Sequence, residues 1–469
     1  MPARPSRTSD LVSLRTAADQ VFSRTAGAPL VGGNAVRVLR DAEENYPAWE
    51  EAIKSAERSI HVEMYIFHRD RVGRRFVDLL TERARAGVTV RVIYDWFGGG
   101  LGPMFGLFTP LIRAGGSVLA FNPPSAANAL GWLRRDHRKL ITVDRRVAFI
   151  SGLCIGEAWV GNPARNRAPW RDTGVEIIGP AVAHAEAAFA DSWLIAGGGP
   201  IESLEDAPDI PPAGDVNLRL IPTEPFTANM LRLDLLVGSL ARKSLWLTDA
   251  YFIGTGPYLE ALTRAARDGV DVRLLFPRDS DVGWTVPVAR ALYRPLLEAG
   301  VRIFEWNGTM VHAKTAVADS RWARIGSTNL NVNSWMGNWE LDVAIEDAGV
   351  AQTLEAHFEA DLERSDEIRL AGDSKRRRGR DGSRARPSRR VVRTVTGVGR
   401  SLGAAVTGNR MLENYELKPI LVTAVLLTVV TGVGALAPWL LAWPLAAIAA
   451  WVAITLFIDA WRVWRQHSS

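Results

Sequence analysis

Apolar and polar positions along the chain follow two alternating rhythms. Residues 59–67, SIHVEMYIF, form a near-continuous β-prone run, and residues 88–95 form another. Between them residues 73–86 place Phe76, Leu79 and Leu80 on one helical face and stop at Gly87. Strands without a polar face are buried on both sides. Strand, helix, strand in this order therefore predicts an α/β fold whose sheet is covered by helices on both faces. Upstream, residues 36–39 read as a strand and 48–56 as a helix. Residues 11–22 bring Leu11, Leu14, Ala18, Val21 and Phe22 to helical spacing, an amphipathic helix that packs on the core.

The rhythm then recurs. Strand 245–253, helix 257–267 and strand 270–276 repeat the layout, with ARAGVTVRV at 84–92 answered by ARDGVDVRL at 266–274. Residues 111–121 are answered by 296–305, and 170–177 (WRDTGVEI) by 338–345 (NWELDVAI). Matched segments in one order mean a duplicated domain. The organisation read from this is a helical segment at 1–30, a first lobe at 31–195, a Gly/Pro/acid-rich linker at 196–215 and a second lobe at 216–370. A basic linker follows at 371–415.

The last part, 416–469, is of a different material. Residues 420–436 and 440–458 are apolar runs separated by Ala437-Pro438-Trp439, which suits a transmembrane helical hairpin. Trp439 and Trp443 near the turn, and Trp461 and Trp464 at the far end, fit interfacial positions. Arginines crowd residues 374–400 before the first run, and Arg462 and Arg465 follow the second, so both ends should face the cytoplasm. Such a basic segment is drawn to an anionic phospholipid membrane by about 1 kcal/mol per charge.

Composition adds less. The 469 residues are 47% hydrophobic with a net charge of +5, both unevenly spread. A single cysteine, Cys154, excludes an intrachain disulfide and fits a reducing compartment. Met1–Arg24 is polar and Arg-bearing, unlike a secretory signal.

The chemistry lies in HRKLITVDRRVAFISGLC at 137–154 and VHAKTAVADSRWARIGSTNLN at 311–331. Each has His-x-Lys with Asp five residues on: His137, Lys139, Asp144 and His312, Lys314, Asp319. On a strand, His and Lys at this spacing share a face. A nucleophilic or acid/base imidazole beside a fixed cation suits a phosphate ester. The chain has only seven His and six Lys against fifty Arg, so Lys at both places marks a site wanting a compact ammonium. One lobe alone lacks the second acid/base group. The two must face each other, one imidazole attacking phosphorus while the other protonates the leaving alkoxide and then deprotonates the incoming hydroxyl. With two ammoniums on the non-bridging oxygens no metal or other cofactor is required. Asp144 and Asp319 fall at strand turns and read as structural.

Two copies of His-x-Lys-x4-Asp, the second followed by Gly326-Ser327-x-Asn329, resemble the phospholipase D superfamily, and within it the bacterial cardiolipin synthases, over roughly residues 25–362. The resemblance implies two duplicated phospholipase D-like α/β/α lobes packed pseudo-symmetrically, with the hairpin as an addition. It places Glu340 where the family's orienting carboxylate stands; the repeat brings Asp172 to the same position in the first lobe. Ser327, Asn329 and Gly326 are implied to bind phosphate, whereas the first copy has Gly152 and Cys154 at the Ser327 and Asn329 positions. Cys154 reads as a small buried hydrophobe. Asn331 and Asn333 stand where relatives often have Asp and Arg. Glu63 and Asp95 resemble motif acids with hydrogen-bonded structural roles.

By the same resemblance the enzyme is a phosphatidyltransferase. It would move a phosphatidyl group from one phosphatidylglycerol to another through a phosphohistidine, at the bacterial inner membrane with its lobes in the cytoplasm. The loops at 98–110 and 282–288, with Trp284, are candidate lipid-facing surfaces. A membrane-anchored phospholipase D that hydrolyses phospholipids is the alternative, and a nuclease of the same type a more distant one, with no nucleic acid expected as partner. Oligomeric state leaves no mark on the sequence.

Overall fold

The computed structural model describes residues 7–100, 106–124, 133–201 and 208–370, with isolated positions 428, 431, 450 and 451. Apart from those isolated positions, the expected membrane hairpin, the basic linker and the arginine run lie outside the described residues. Among the described residues, no helix is long and apolar enough to cross a membrane.

Among the described residues, fifteen strands form one sheet. The first lobe supplies β1 (Val31–Arg40), β2 (Ser59–Met64), β3 (Thr89–Asp95), β4 (Ser117–Phe121), β5 (Lys139–Val143), β6 (Val147–Ser151) and β7 (Thr173–Ile178). The second supplies β8 (Val216–Thr223), β9 (Ser244–Thr248), β10 (Asp271–Pro277), β11 (Arg302–Trp306), β12 (Thr315–Ala318), β13 (Trp322–Gly326), β14 (Glu340–Glu346) and β15 (Ser365–Ile368). The order is β15-β11-β10-β9-β12-β13-β14-β8-β1-β7-β6-β5-β2-β3-β4. Apart from β15 it reads the same from both ends, each strand answered by its repeat, so a pseudo-two-fold axis passes between β8 and β1.

That seam is irregular. The antiparallel pairing shifts between Val31 and Asn34, where Gly33 takes a φ of 82°, the signature of a bulge. Buried Asn34 fastens it, donating to the carbonyls of Val31 and Val216 and accepting from Ala181 N.

The helices are α1 (Arg7–Ala26), α2 (Asp41–Lys54), α3 (Arg71–Arg85), α4 (Thr109–Arg113), α5 (Glu157–Val160) and α6 (Ala181–Ile195) in the first part. In the second part they are α7 (Asn229–Leu240), α8 (Gly256–Arg267), α9 (Thr285–Ala291), α10 (Tyr293–Ala299), α11 (Val332–Met336) and α12 (Ala348–Leu362). One face of each lobe's sheet is covered by its own helices, giving two separate apolar cores. The other faces share a third core, in which Ile150, Val175 and Phe189 meet Ile325, Val343 and Leu354 across the axis. The last helix of each lobe reaches over the boundary, α6 to β8 and α12 to β1.

Several boundaries move from their expected places. Helix α2 begins at Asp41, not at 48, and carries Pro47 inside it. Asp41, Glu43 and Glu44 in the first turn favour that start through the helix dipole, and the lost proline N–H costs one bond. In α1, Phe22 and Ala26 pack on the second lobe's core, while Val21, expected to face inward, is half exposed. In the 98–110 loop, Leu107 and Phe108 are buried, Phe108 against Phe67 and Tyr94, and so do not face lipid.

Candidate active site

Each His-x-Lys lies in an extended lead-in to a strand. Lys139 opens β5, and β12 starts only at Thr315, after Lys314. The lead-ins are not strand proper because their backbone partners belong to the opposite lobe. His137 N donates to Trp339 O at 2.8 Å and Trp339 N to Arg135 O at 2.8 Å; His312 N donates to Arg171 O at 2.7 Å and Arg171 N to Met310 O at 2.9 Å. Each histidine is thereby stitched beside the residue preceding the other lobe's acid.

The side chains follow the backbone. His137 Nδ1 is 2.8 Å from Glu340 Oε2, and His312 Nδ1 is 2.7 Å from Asp172 Oδ2. Each acid partners the imidazole of the other lobe. An ionised carboxylate there holds the hydrogen on Nδ1 and leaves the Nε2 lone pair for chemistry. Both rings open into one cleft of about 560 Å³, lined also by Tyr65, Trp170, Tyr251, Asp281 and Asn329.

The two pairs are built differently. Glu340 Oε2 also accepts from Ser327 Oγ at 2.6 Å, and Oε1 accepts from Asn338 at 3.1 Å. Asp172 Oδ2 also accepts from Trp159 Nε1 at 2.9 Å. At Gly152, the Ser327 counterpart, a Cβ would come within 2.1 Å of Asp172 Oδ1. A serine in the first lobe would therefore occupy the carboxylate's space. Trp159 and Trp170 flank the His312 ring at 5.6 and 5.4 Å, while Tyr65 lies 4.7 Å from that of His137.

Lys139 and Lys314 are buried beneath the rings and do not line the cleft. Each Nζ bonds the carbonyl of its own lobe's histidine, and Lys314 Nζ stands 3.0 Å from both ring nitrogens of His312. Their charge sets the proton affinities. Burial, then Lys139, Lys314 and His312, holds His137 well below an ordinary histidine. Burial and Lys314 lower His312 against the pull of Asp172. Lys314 is brought down to about 8 by burial, with Lys139 adding to it. Burial would raise Asp172, but His312 and Lys314 outweigh it and keep the carboxyl below its usual range. Glu340 lacks so strong a compensation, and burial pushes it up to about 7.

The remaining expected residues divide. Asn329 reaches the cleft. Ser327 does not: it is fully buried and its hydroxyl proton goes to Glu340, so it braces the carboxylate instead of meeting phosphate. Gly326 abuts Asp342, where a Cβ would come within 2.3 Å of Oδ1. Asp144 and Asp319 lie at the far ends of β5 and β12. Asp144 accepts from the amides of Glu57, Arg58 and Ser59, and Asp319 from those of Arg242, Lys243 and Ser244. Asp95 accepts from Phe97, Gly98 and Asp136 amides, the last fixing the approach to His137. Glu63 is buried with Arg138 Nη1 at 3.9 Å. Cys154 is buried, and its carbonyl accepts from Tyr46. Asn331 caps α11 and donates to Tyr251 O.

Sequence reasoning passed over Arg138, Arg171 and Trp159. Arg138 Nε donates to Glu340 O at 3.2 Å, and Arg171 pairs with Asp361 of α12 at 2.9 Å. The signal for both was position, since one lies inside His-x-Lys and the other directly before Asp172.

The sequence matches the family described as "Cardiolipin synthase, PLD-like domain" over residues 50–158 and 239–362. It is 34% identical to cardiolipin synthase A of Pseudomonas syringae pv. syringae, over 77% of this chain and 75% of that one. It is 31% identical to a probable cardiolipin synthase of Bacillus subtilis, over 73% of this chain and 68% of that one. Among solved structures it is similar to the phosphatidylserine synthase of Haemophilus influenzae, with a TM-score of 0.57 at 14% identity, covering 74% of this chain and 91% of that one.

Proposed function

The chain belongs to the cardiolipin synthases of the phospholipase D superfamily, and from that premise we propose that it joins two phosphatidylglycerol molecules into cardiolipin and glycerol. One of His137 and His312 attacks phosphorus through Nε2, forming a P–N bond as the P–O bond to the headgroup glycerol breaks. The other, protonated, gives its proton to the departing alkoxide. It then takes the proton from the glycerol hydroxyl of a second phosphatidylglycerol, whose oxygen attacks phosphorus and frees the histidine.

The observation that carries this reading is the pair of exchanged His–carboxylate contacts opening into one cleft. Glu340 and Asp172 orient the rings and offset the positive charge that develops on them. Lys139 and Lys314 provide a fixed positive field for a phosphoryl group that gains charge in the transition state. Asn329 is the neutral donor facing the substrate.

The apolar runs at 420–436 and 440–458 are proposed to anchor the lobes to the cytoplasmic face of the bacterial inner membrane. Anchoring concentrates the lipid acceptor beside the intermediate, which favours transfer over hydrolysis. Mass spectrometry of the products from labelled phosphatidylglycerol vesicles tests the reading. Cardiolipin with released glycerol is expected; phosphatidic acid alone would make the protein a hydrolase.

A further inference from the structure

The mouth of the cleft is apolar in a way its floor is not. Phe97, Phe226, Val282, Trp284 and Val332 are all exposed, with Phe226 at 69% and Trp284 at 62%, and so is Leu133, the chain neighbour of the Arg134 that lies over Phe226. Phe97, Val282, Trp284 and Val332 line the cleft. Phe226 joins them through its backbone, which donates to Met336 O in the helix that begins at Val332. Both lobes contribute. The loops leaving β3 and β10, equivalent under the pseudo-two-fold, carry Phe97 and Trp284 respectively.

Single exposed apolar residues need no explanation, but a group gathered around one opening does. Phe226 also takes a φ of 71°, a conformation disfavoured for any side chain but glycine. The loop thus holds a largely exposed aromatic ring outward from a costly backbone. Arginines lie against these rings: Arg135 is 3.8 Å from the centroid of Phe97, and Arg134 of the first lobe is 5.1 Å from that of Phe226 in the second. Asp281, an acid lining the cleft, is engaged by Tyr251 at 2.7 Å. Aromatic rings interleaved with guanidiniums match the boundary of an anionic bilayer, where rings sit among headgroups and arginines meet phosphates.

We propose that this rim is an interfacial docking surface that seats the cleft on an anionic lipid bilayer. Phe226, Leu133, Phe97 and Trp284 enter the headgroup region, and the exposed Arg134 meets lipid phosphates. The inference rests on the lipid substrate proposed above and adds a second contact with the membrane, separate from the hairpin. A lipid could then pass from the bilayer to the histidines without its acyl chains crossing water.

The test uses the full chain. Cys154 is buried, so Phe226→Cys presents one exposed thiol for an environment-sensitive fluorophore. Lys243→Cys, at the opposite end of β9 from the cleft, serves as control. With phosphatidylglycerol vesicles the label at 226 should shift to the blue and be quenched by doxyl lipids, while that at 243 should not. The pair Phe226→Ser and Leu133→Ser should slow turnover of vesicle phosphatidylglycerol by about tenfold or more, yet leave turnover of monomeric short-chain phosphatidylglycerol within about twofold. An unquenched label at 226, or equal losses on both substrates, would overturn the docking surface. So would a shift that follows protein concentration without lipid, which would mean a second copy covers the rim. Quenching at 226 without any turnover of either substrate by the unmodified protein would sustain the docking and strike the proposed chemistry instead.

Discussion

His137 meets Glu340 of the second lobe at 2.8 Å and not Asp172, the acid of its own lobe. The equivalent exchange joins His312 to Asp172. Neither lobe therefore contains an oriented imidazole by itself. Glu340→Gln would remove the charge that supports an imidazolium at His137, so kcat should fall by about 10²–10⁴-fold with KM little changed. Steady-state kinetics on phosphatidylglycerol check this. A loss under about twofold would mean the pair takes no part in the reaction.

The acids differ in proton affinity, which predicts the pH profile. Glu340 titrates at about 7. Below that, its own proton bonds His137 Nδ1 and forces the ring hydrogen to Nε2, so the rate should fall. Lys314 titrates at about 8, and above that the site loses a positive charge, so the rate should fall again. A narrow maximum between the two is expected in kcat/KM. Lys314→Arg should lower the rate but abolish the alkaline limb, because guanidinium stays charged. The stability signs oppose each other. Glu340, raised from 4.5, stabilises the fold at low pH and loses that contribution as pH rises through about 7. Lys314, lowered from 10.5, contributes above that value and loses its contribution as pH falls through about 8.

Periodicity made the duplicated layout legible, because buried strands and one-sided helices leave their rhythm in the chain. The histidines and lysines were legible because rare residue types recurred at one spacing; Glu340 came from the family resemblance and Asp172 from the repeat. The exchange of acids was not, since repeat alignment matches Asp172 with Glu340 without saying which ring each one meets. That depends on the bridges from His137 to Trp339 and from His312 to Arg171, contacts between distant segments. Ser327 was misread for a related reason. A serine near a phosphate motif suggests a donor to substrate, but here the unmet need is the buried carboxylate of Glu340.

Gly152 and Ser327 occupy equivalent positions and are not interchangeable. Gly152→Ser would press a side chain into Asp172, so it should destabilise by about 1–3 kcal/mol and depress activity by displacing the His312 partner. Ser327→Gly removes the hydrogen bond given to Glu340 and the one accepted from Leu341 N, so it should also cost about 1–3 kcal/mol, but with a smaller loss of kcat because it pushes nothing into the carboxylate. Kinetics on both variants, at a temperature where thermal denaturation shows each to be folded, would show the ordering in kcat, and equal losses of kcat would refute it.

Asp144 and Asp319 each collect three backbone amides away from the histidines. Replacing either by Ala should cost about 1.5–3 kcal/mol of stability, while kcat at a temperature where the variant stays folded should remain within about fivefold. Chemical denaturation beside kinetics separates the two readouts. A loss of kcat as large as that of Glu340→Gln would return these acids to the chemistry.

The lobes are also joined behind the cleft, where Arg171 pairs with Asp361 at 2.9 Å and Arg40 reaches the same carboxylate at 2.8 Å. The clamp is unequal. Removing Asp361 leaves both guanidiniums to share Asp41, 3.3 Å from Arg171 and 3.8 Å from Arg40, and that of Arg171 is nearly fully buried. Removing Arg171 leaves Asp361 its second partner. Breaking a buried pair by deleting one member costs about 3–5 kcal/mol, so Asp361→Ala should reach that range and Arg171→Met should fall below it. Replacing both with apolar residues should recover part of the loss, since no charge is then stranded. Because the Arg171 backbone holds His312, Asp361→Ala should also lower kcat at temperatures where the protein stays folded. Denaturant midpoints for the two single variants and the double variant decide the ordering, and a double variant less stable than Asp361→Ala would contradict it.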